Sequence, residues 1–172
     1  AGDIDGDGYD DIIIGERYFY DTSPVGGNDP DVAGAAWIIW GGPNIATMDK
    51  TSVDLDFDSP SSSRFLIEGV ADSDRGSTER WGQEYLSHDV SPAGDFDRDG
   101  MDDILVTSKW GWLSPSPEQT GEVYLLWGSA INRSDGGNYL GLDGAWSPSK
   151  GILIQGEEPD TPMSANLGFG HQ

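Results

Sequence analysis

The sequence predicts an all-β protein made of two copies of one repeat, each contributing about four short strands. Three observations predict this. Four motifs recur in the same order, at offsets of 87 to 92 residues. Each motif is a short apolar run beside Gly or Asp-Gly turns, of strand length and too short for a helix. The 172 residues also include 25 Gly and 10 Pro, the punctuation of a chain with many tight turns.

The first motif, Ala1-Gly2-Asp3-Ile4-Asp5-Gly6-Asp7-Gly8-Tyr9-Asp10-Asp11-Ile12-Ile13-Ile14, reappears 92 residues later. The copy reads Ala93-Gly94-Asp95-Phe96-Asp97-Arg98-Asp99-Gly100-Met101-Asp102-Asp103-Ile104-Leu105-Val106. Residues 12–14 and 104–106 are therefore expected strands fed by a turn. The second motif, residues 34–41, matches 121–128 at an offset of 87. Its apolar runs, 35–40 and 123–127, suit strands buried on both faces. The third, Phe65-Leu66-Ile67-Glu68-Gly69, matches Ile152-Leu153-Ile154-Gln155-Gly156. The fourth, Trp81-Gly82-Gln83, matches Phe169-Gly170-His171. After Trp81-Gly82, Leu86 and Val90 open a further strand. The connections 21–31 and 129–149 read as surface loops.

Composition narrows the classes. Aromatic residues (7 Trp, 6 Tyr, 5 Phe) argue for a packed core despite only 35% hydrophobic residues. The net charge is −22, and Asp supplies 23 of the 31 acids. Such a surface repels nucleic-acid phosphates and anionic membranes. No apolar run approaches the roughly 20 residues of a membrane span, so membrane insertion is not expected. There is no Cys, hence no disulfide and no thiolate metal site. Ala1-Gly2-Asp3 does not read as a signal peptide; a removed leader or a longer parent chain is expected.

The acids of the first motif carry the chemistry. Asp3, Asp5, Asp7 and Asp11 stand at positions 1, 3, 5 and 9 of a tight loop, and Asp95, Asp97, Asp99 and Asp103 repeat the spacing. Calcium takes several hard oxygen ligands at short range, and alternating Asp on a curled backbone supplies them. Gly8 and Gly100 permit the turn. Tyr9 and Met101, at position 7, offer a backbone carbonyl. Without a cation four carboxylates repel one another, so about two Ca²⁺ per chain are expected. An EF-hand is excluded because position 12 is Ile14 or Val106, neither of which can ligate through its side chain.

These residues resemble the FG-GAP repeat of integrin α-subunit propellers and related bacterial surface proteins. Trp81-Gly82, the loop 95–103 and the runs 104–106, 121–128 and 152–156 follow the family's order. Trp81 stands where the family prefers Phe, and Val106-Thr107-Ser108 where it prefers Gly-Ala. The resemblance implies a β-propeller of four-stranded antiparallel blades. It divides the chain into a first repeat at 1–80 lacking its first strand, a second at 81–167, and the start of another at 168–172. Both ends would then leave sheet edges open, to be completed by flanking sequence or by a neighbouring subunit in a ring or filament.

The resemblance also implies an extracellular or cell-surface scaffold for adhesion or assembly, with calcium as a structural ion and no enzymatic activity. The alternative is a propeller module of a secreted enzyme such as a polysaccharide lyase, since fold does not fix function. No acid/base constellation, phosphate loop or zinc spacing can be assembled from the sequence. Asp54, Asp56 and Asp58 read as the acidic face of a strand, Asp72 and Asp74 as a turn, and His88 as a polar strand-edge residue. Trp110 and Trp112 form the aromatic pair with which a glycan or protein partner could stack. Asn132-Arg133-Ser134 is a sequon.

Overall fold

A computed structural model of the chain describes residues 1–19, 33–43, 64–69, 86–109, 121–131, 139–142 and 146–156. Eight strands lie among them: β1 Ile12–Glu16, β2 Ala35–Ile39, β3 Arg64–Glu68, β4 Leu86–Gly94, β5 Asp103–Ser108, β6 Glu122–Leu126, β7 Tyr139–Gly141 and β8 Gly151–Gln155. The protein is all-β. Among the described residues no helix is long and apolar enough to cross a membrane.

The strands form two four-stranded sheets, ordered β1-β2-β3-β7 and β4-β5-β6-β8. The second is an antiparallel meander of one repeat's strands. β4 lies at its edge, which is where a strand containing Pro92 can sit without a missing ladder bond. The first sheet takes β1, β2 and β3 from the other repeat, antiparallel throughout. Its fourth strand is a difference from the sequence expectation. Residues 139–141, read above as part of a surface loop, form β7 and pair in parallel with β3, Leu66 opposite Tyr139. The Leu142 N–H extends this ladder to the Glu68 carbonyl at 3.0 Å. A strand inserted in the second repeat thus covers the outer edge of the first sheet, shielding backbone groups that an exposed edge would offer to other chains.

The expected double-sided burial of β2 and β6 holds: every residue in each is buried. One core explains it. Ala36, Ile38, Phe65 and Ile67 on one face of the first sheet pack with Ile104, Val106, Tyr124 and Leu126 on one face of the second. Ile4, Leu86, Ile131 and Leu142 close the margins of this layer. Period-2 alternation sends the intervening residues to the far faces. On the far face of the first sheet Trp37 packs with Ala35 and Leu66, and Phe19 meets its ring edge-on at 6.1 Å.

The two copies are related in a directional way. Ile12 and Ile14 are 54% and 39% exposed, while their counterparts Ile104 and Val106 are both 0%. Ile152 and Ile154 are each 42% exposed, while their counterparts Phe65 and Ile67 are 3% and 0%. Each repeat therefore has two different apolar faces. The front of the second is buried on the back of the first, and the remaining front and back stay partly exposed. This is the stacking of consecutive blades.

Candidate metal centre

Both acidic loops lead into a strand of their own sheet, β1 or β5, and closely similar hydrogen bonds shape them. In the first loop the Asp3 carboxylate accepts the Asp7 and Gly8 N–H groups, each at 2.9 Å. Asp5 accepts the Asp7 N–H at 3.2 Å and Asp7 accepts the Tyr9 N–H at 3.0 Å. In the second, Asp95 accepts from Gly100 at 3.2 Å, Asp97 from Asp99 at 3.1 Å, and Asp99 from Met101 at 2.9 Å. Such local side-chain to backbone bonds are what make Asp a turn former. Even the sequence difference at position 4 leaves the path alone: Arg98 adopts the left-handed conformation of its counterpart Gly6, at φ 65 against 74.

The result is two triads. Asp3, Asp5 and Asp7 each present a carboxylate oxygen within 4.8 Å of the others, and so do Asp95, Asp97 and Asp99. The donor set fits a hard divalent cation. Calcium–oxygen bonds of 2.3–2.6 Å allow two ligand oxygens up to about 5 Å apart on one ion. Tyr9 and Met101, two residues beyond each triad, are tied to its third carboxylate by their N–H groups.

Asp11 and Asp103 stand apart from the triads in their bonding. Both are buried. One oxygen of Asp11 accepts the Ile4 N–H and the other the Gly41 N–H, both at 2.8 Å. Asp103 likewise accepts from Phe96 at 2.8 Å and from Gly128 at 3.0 Å. Each thus pins the loop's start to the glycine shortly after β2 or β6. Burial pushes both carboxyls up from their ordinary range, and neighbouring loop acids push the same way, while backbone N–H donors pull down. A cation beside the loop would favour the ionised form.

Sequence reasoning missed these two glycines. The signal was present: Trp-Gly follows β2 and β6 alike, as Trp40-Gly41 and Trp127-Gly128. The reason is space. A Cβ on Gly41 would lie 2.3 Å from the Asp10 carbonyl oxygen, and one on Gly128 would lie 2.7 Å from both the Asp102 and Ile4 carbonyl oxygens.

His88 lies on the edge strand β4, its Nδ1 3.2 Å from an Asp89 carboxylate oxygen, as its reading as a strand-edge residue anticipates. Asp54, Asp56, Asp58, Asp72, Asp74, Trp81, Trp110, Trp112, Asn132 and residues 168–172 lie outside the described residues.

No curated protein matches the chain. Residues 1–39 match the FG-GAP repeat family, a span covering the first loop, β1 and β2. The second loop, β5 and β6 repeat the order of that segment, so residues 1–39 match an FG-GAP repeat and the second sheet holds a structural copy of the matched segment.

Proposed function

We propose that the chain is a calcium-stabilised β-propeller module that serves as an extracellular scaffold for adhesion or assembly, and that it is not an enzyme. The observation that carries the reading is the pair of equivalent carboxylate triads, each set at the entry to a strand of its own sheet. Asp3, Asp5, Asp7, Asp11 and the Tyr9 carbonyl would hold one Ca²⁺, and Asp95, Asp97, Asp99, Asp103 and the Met101 carbonyl the other. The ion supplies charge neutralisation and fixes the loop; these residues bring the strand in at a set angle.

The propeller reading draws on the directional stacking of the two sheets. Ile12 and Ile14 at one end, and Ile152 and Ile154 at the other, are the counterparts of buried interface residues. They suit further blades of the same kind, from flanking sequence or from another protomer. A structural role for calcium follows from mass action. A ligand that binds only the folded state stabilises it by roughly 2.7 kcal/mol at a hundredfold excess over its dissociation constant. Thermal melting with and without a chelator tests this. The midpoint should fall on chelation and recover on adding calcium, and an unchanged curve would reject a structural ion.

A further inference from the structure

We propose that Asp102 couples the two loops, so that a cation held by one raises the affinity of the other. The inference rests on the calcium reading above and adds a positioning residue to it. Asp102 belongs to the second loop, between Met101 and Asp103. Its carboxylate accepts the Asp3 N–H at 2.9 Å, and its own N–H donates to the Asp3 carbonyl at 2.8 Å. Both bonds reach the same residue, across 99 positions of sequence. Asp3 is also the carboxylate that organises the first loop by accepting the Asp7 and Gly8 N–H groups.

Two glycines show that the contact is built in. Gly2 has φ +93, and a Cβ there would lie 2.1 Å from an Asp102 carboxylate oxygen. Its counterpart Gly94 is also left-handed, at φ +67, yet a Cβ there meets nothing within 4 Å. Gly2 thus leaves room for Asp102, and Gly94 has no such partner. Gly128, whose N–H holds Asp103, sits against both the Asp102 and Ile4 backbones. The loops therefore share a wall.

The consequence is thermodynamic. A cation that fixes the Asp3 carboxylate fixes the Asp3 backbone, and with it Asp102 and its neighbours Met101 and Asp103. The second loop then has less freedom left to lose on binding, which is positive coupling without any large movement. Coupling is reciprocal, so the second loop favours the first by the same factor.

The test is a direct calcium titration of the chelator-treated 172-residue chain. The expected result is a Hill coefficient between 1 and 2, with about fivefold or greater coupling. Asp102→Ala and Gly2→Ala should bring binding back to independent sites. Gly94→Ala, which also places a side chain at positive φ but without the clash, should leave the coupling intact. Asp5→Asn, which damages only the first loop, should weaken calcium at the second about fivefold. Should Asp102→Ala fail to fold, Gly2→Ala and the Asp5→Asn linkage decide the matter. Two independent sites in the parent chain, or coupling retained in Asp102→Ala and Gly2→Ala, would overturn the inference and leave the calcium reading standing. No calcium uptake at all would overturn both.

Discussion

The carboxylate of Asp103 accepts the backbone N–H of Gly128 at 3.0 Å, joining the end of the acidic loop to the turn after β6. Its other oxygen holds the Phe96 N–H at 2.8 Å. One buried side chain thus satisfies two backbone donors that no strand ladder reaches. Replacing it orphans the buried Gly128 N–H and leaves the partly exposed Phe96 N–H to water, and a buried unsatisfied donor costs about 1–3 kcal/mol. Asp103→Ala should therefore destabilise the chain by roughly 2 kcal/mol, even in the presence of chelator. Asp103→Asn keeps one acceptor oxygen and should lose less. Urea denaturation of both variants without calcium is the check. An Asp103→Ala curve that overlays the parent's would mean that the residue acts only as a ligand.

The equivalent glycine in the first copy, Gly41, whose N–H donates to Asp11, makes a separate prediction. Gly41→Ala places a methyl group 2.3 Å from the Asp10 carbonyl oxygen, a backbone atom that cannot swing away. Overpacking of this kind costs typically 1–3 kcal/mol. The melting temperature should fall by several degrees, at roughly 2–4 °C per kcal/mol for a chain of this size. Gly8→Ala makes a useful contrast, since a Cβ there meets nothing within 4 Å and only the φ of +90 is strained. An unchanged melting temperature for Gly41→Ala would show that the close approach to Asp10 is not what requires glycine there.

The layer between the sheets can be probed by two aliphatics, one from each sheet. Ile38 is fully buried between the sheets, whereas Ile154 is 42% exposed on the far face of the second. Ile38→Ala should cost about 2–5 kcal/mol, the usual range for a buried large-to-small change. Ile154→Ala should cost under about 1 kcal/mol in the same chain, the range of a surface change. Similar losses at both positions, measured by chemical denaturation, would contradict the assignment of a front and a back to each sheet.

Those exposed faces carry a prediction about association. Ile12 and Ile14 present one half of the inter-sheet contact and Ile152 and Ile154 the other, so one chain complements the next head to tail. A heterologous contact of this kind builds rings or filaments. The isolated 172-residue chain should self-associate with rising concentration, and the double change Ile152→Lys with Ile154→Lys should suppress this while leaving the fold intact. Light scattering across a concentration series decides it. A monomer at every concentration would show that these faces do not recruit one another.

Much of the architecture is legible in the sequence because repetition makes each strand vouch for its copy. Residues 35–40 could be a buried helix segment on periodicity alone, but Gly on both sides and a second copy at 121–128 favour a strand, and β2 and β6 lie there. β7 is not legible. Tyr139-Leu140-Gly141 is three residues with no pattern of its own, and its strand character comes from the β3 edge that it meets. The triads could be read from Asp spacing, since the ligating geometry is local. The separate bonding of Asp11 and Asp103 could not, because spacing does not reveal the distant N–H groups that a carboxylate also holds. The Asp102–Asp3 contact is equally hidden, being made only when two sheets stack.

The account's central claim is that the two triads are calcium sites, and stoichiometry tests it most directly. Isothermal titration of chelator-treated chain with calcium should give about two ions per chain, with magnesium producing much weaker binding because it prefers octahedral sites rich in water. Asp97→Ala should reduce the count to about one. No binding heat with calcium, or magnesium binding as strong as calcium, would contradict the claim and leave the two loops as acidic turns.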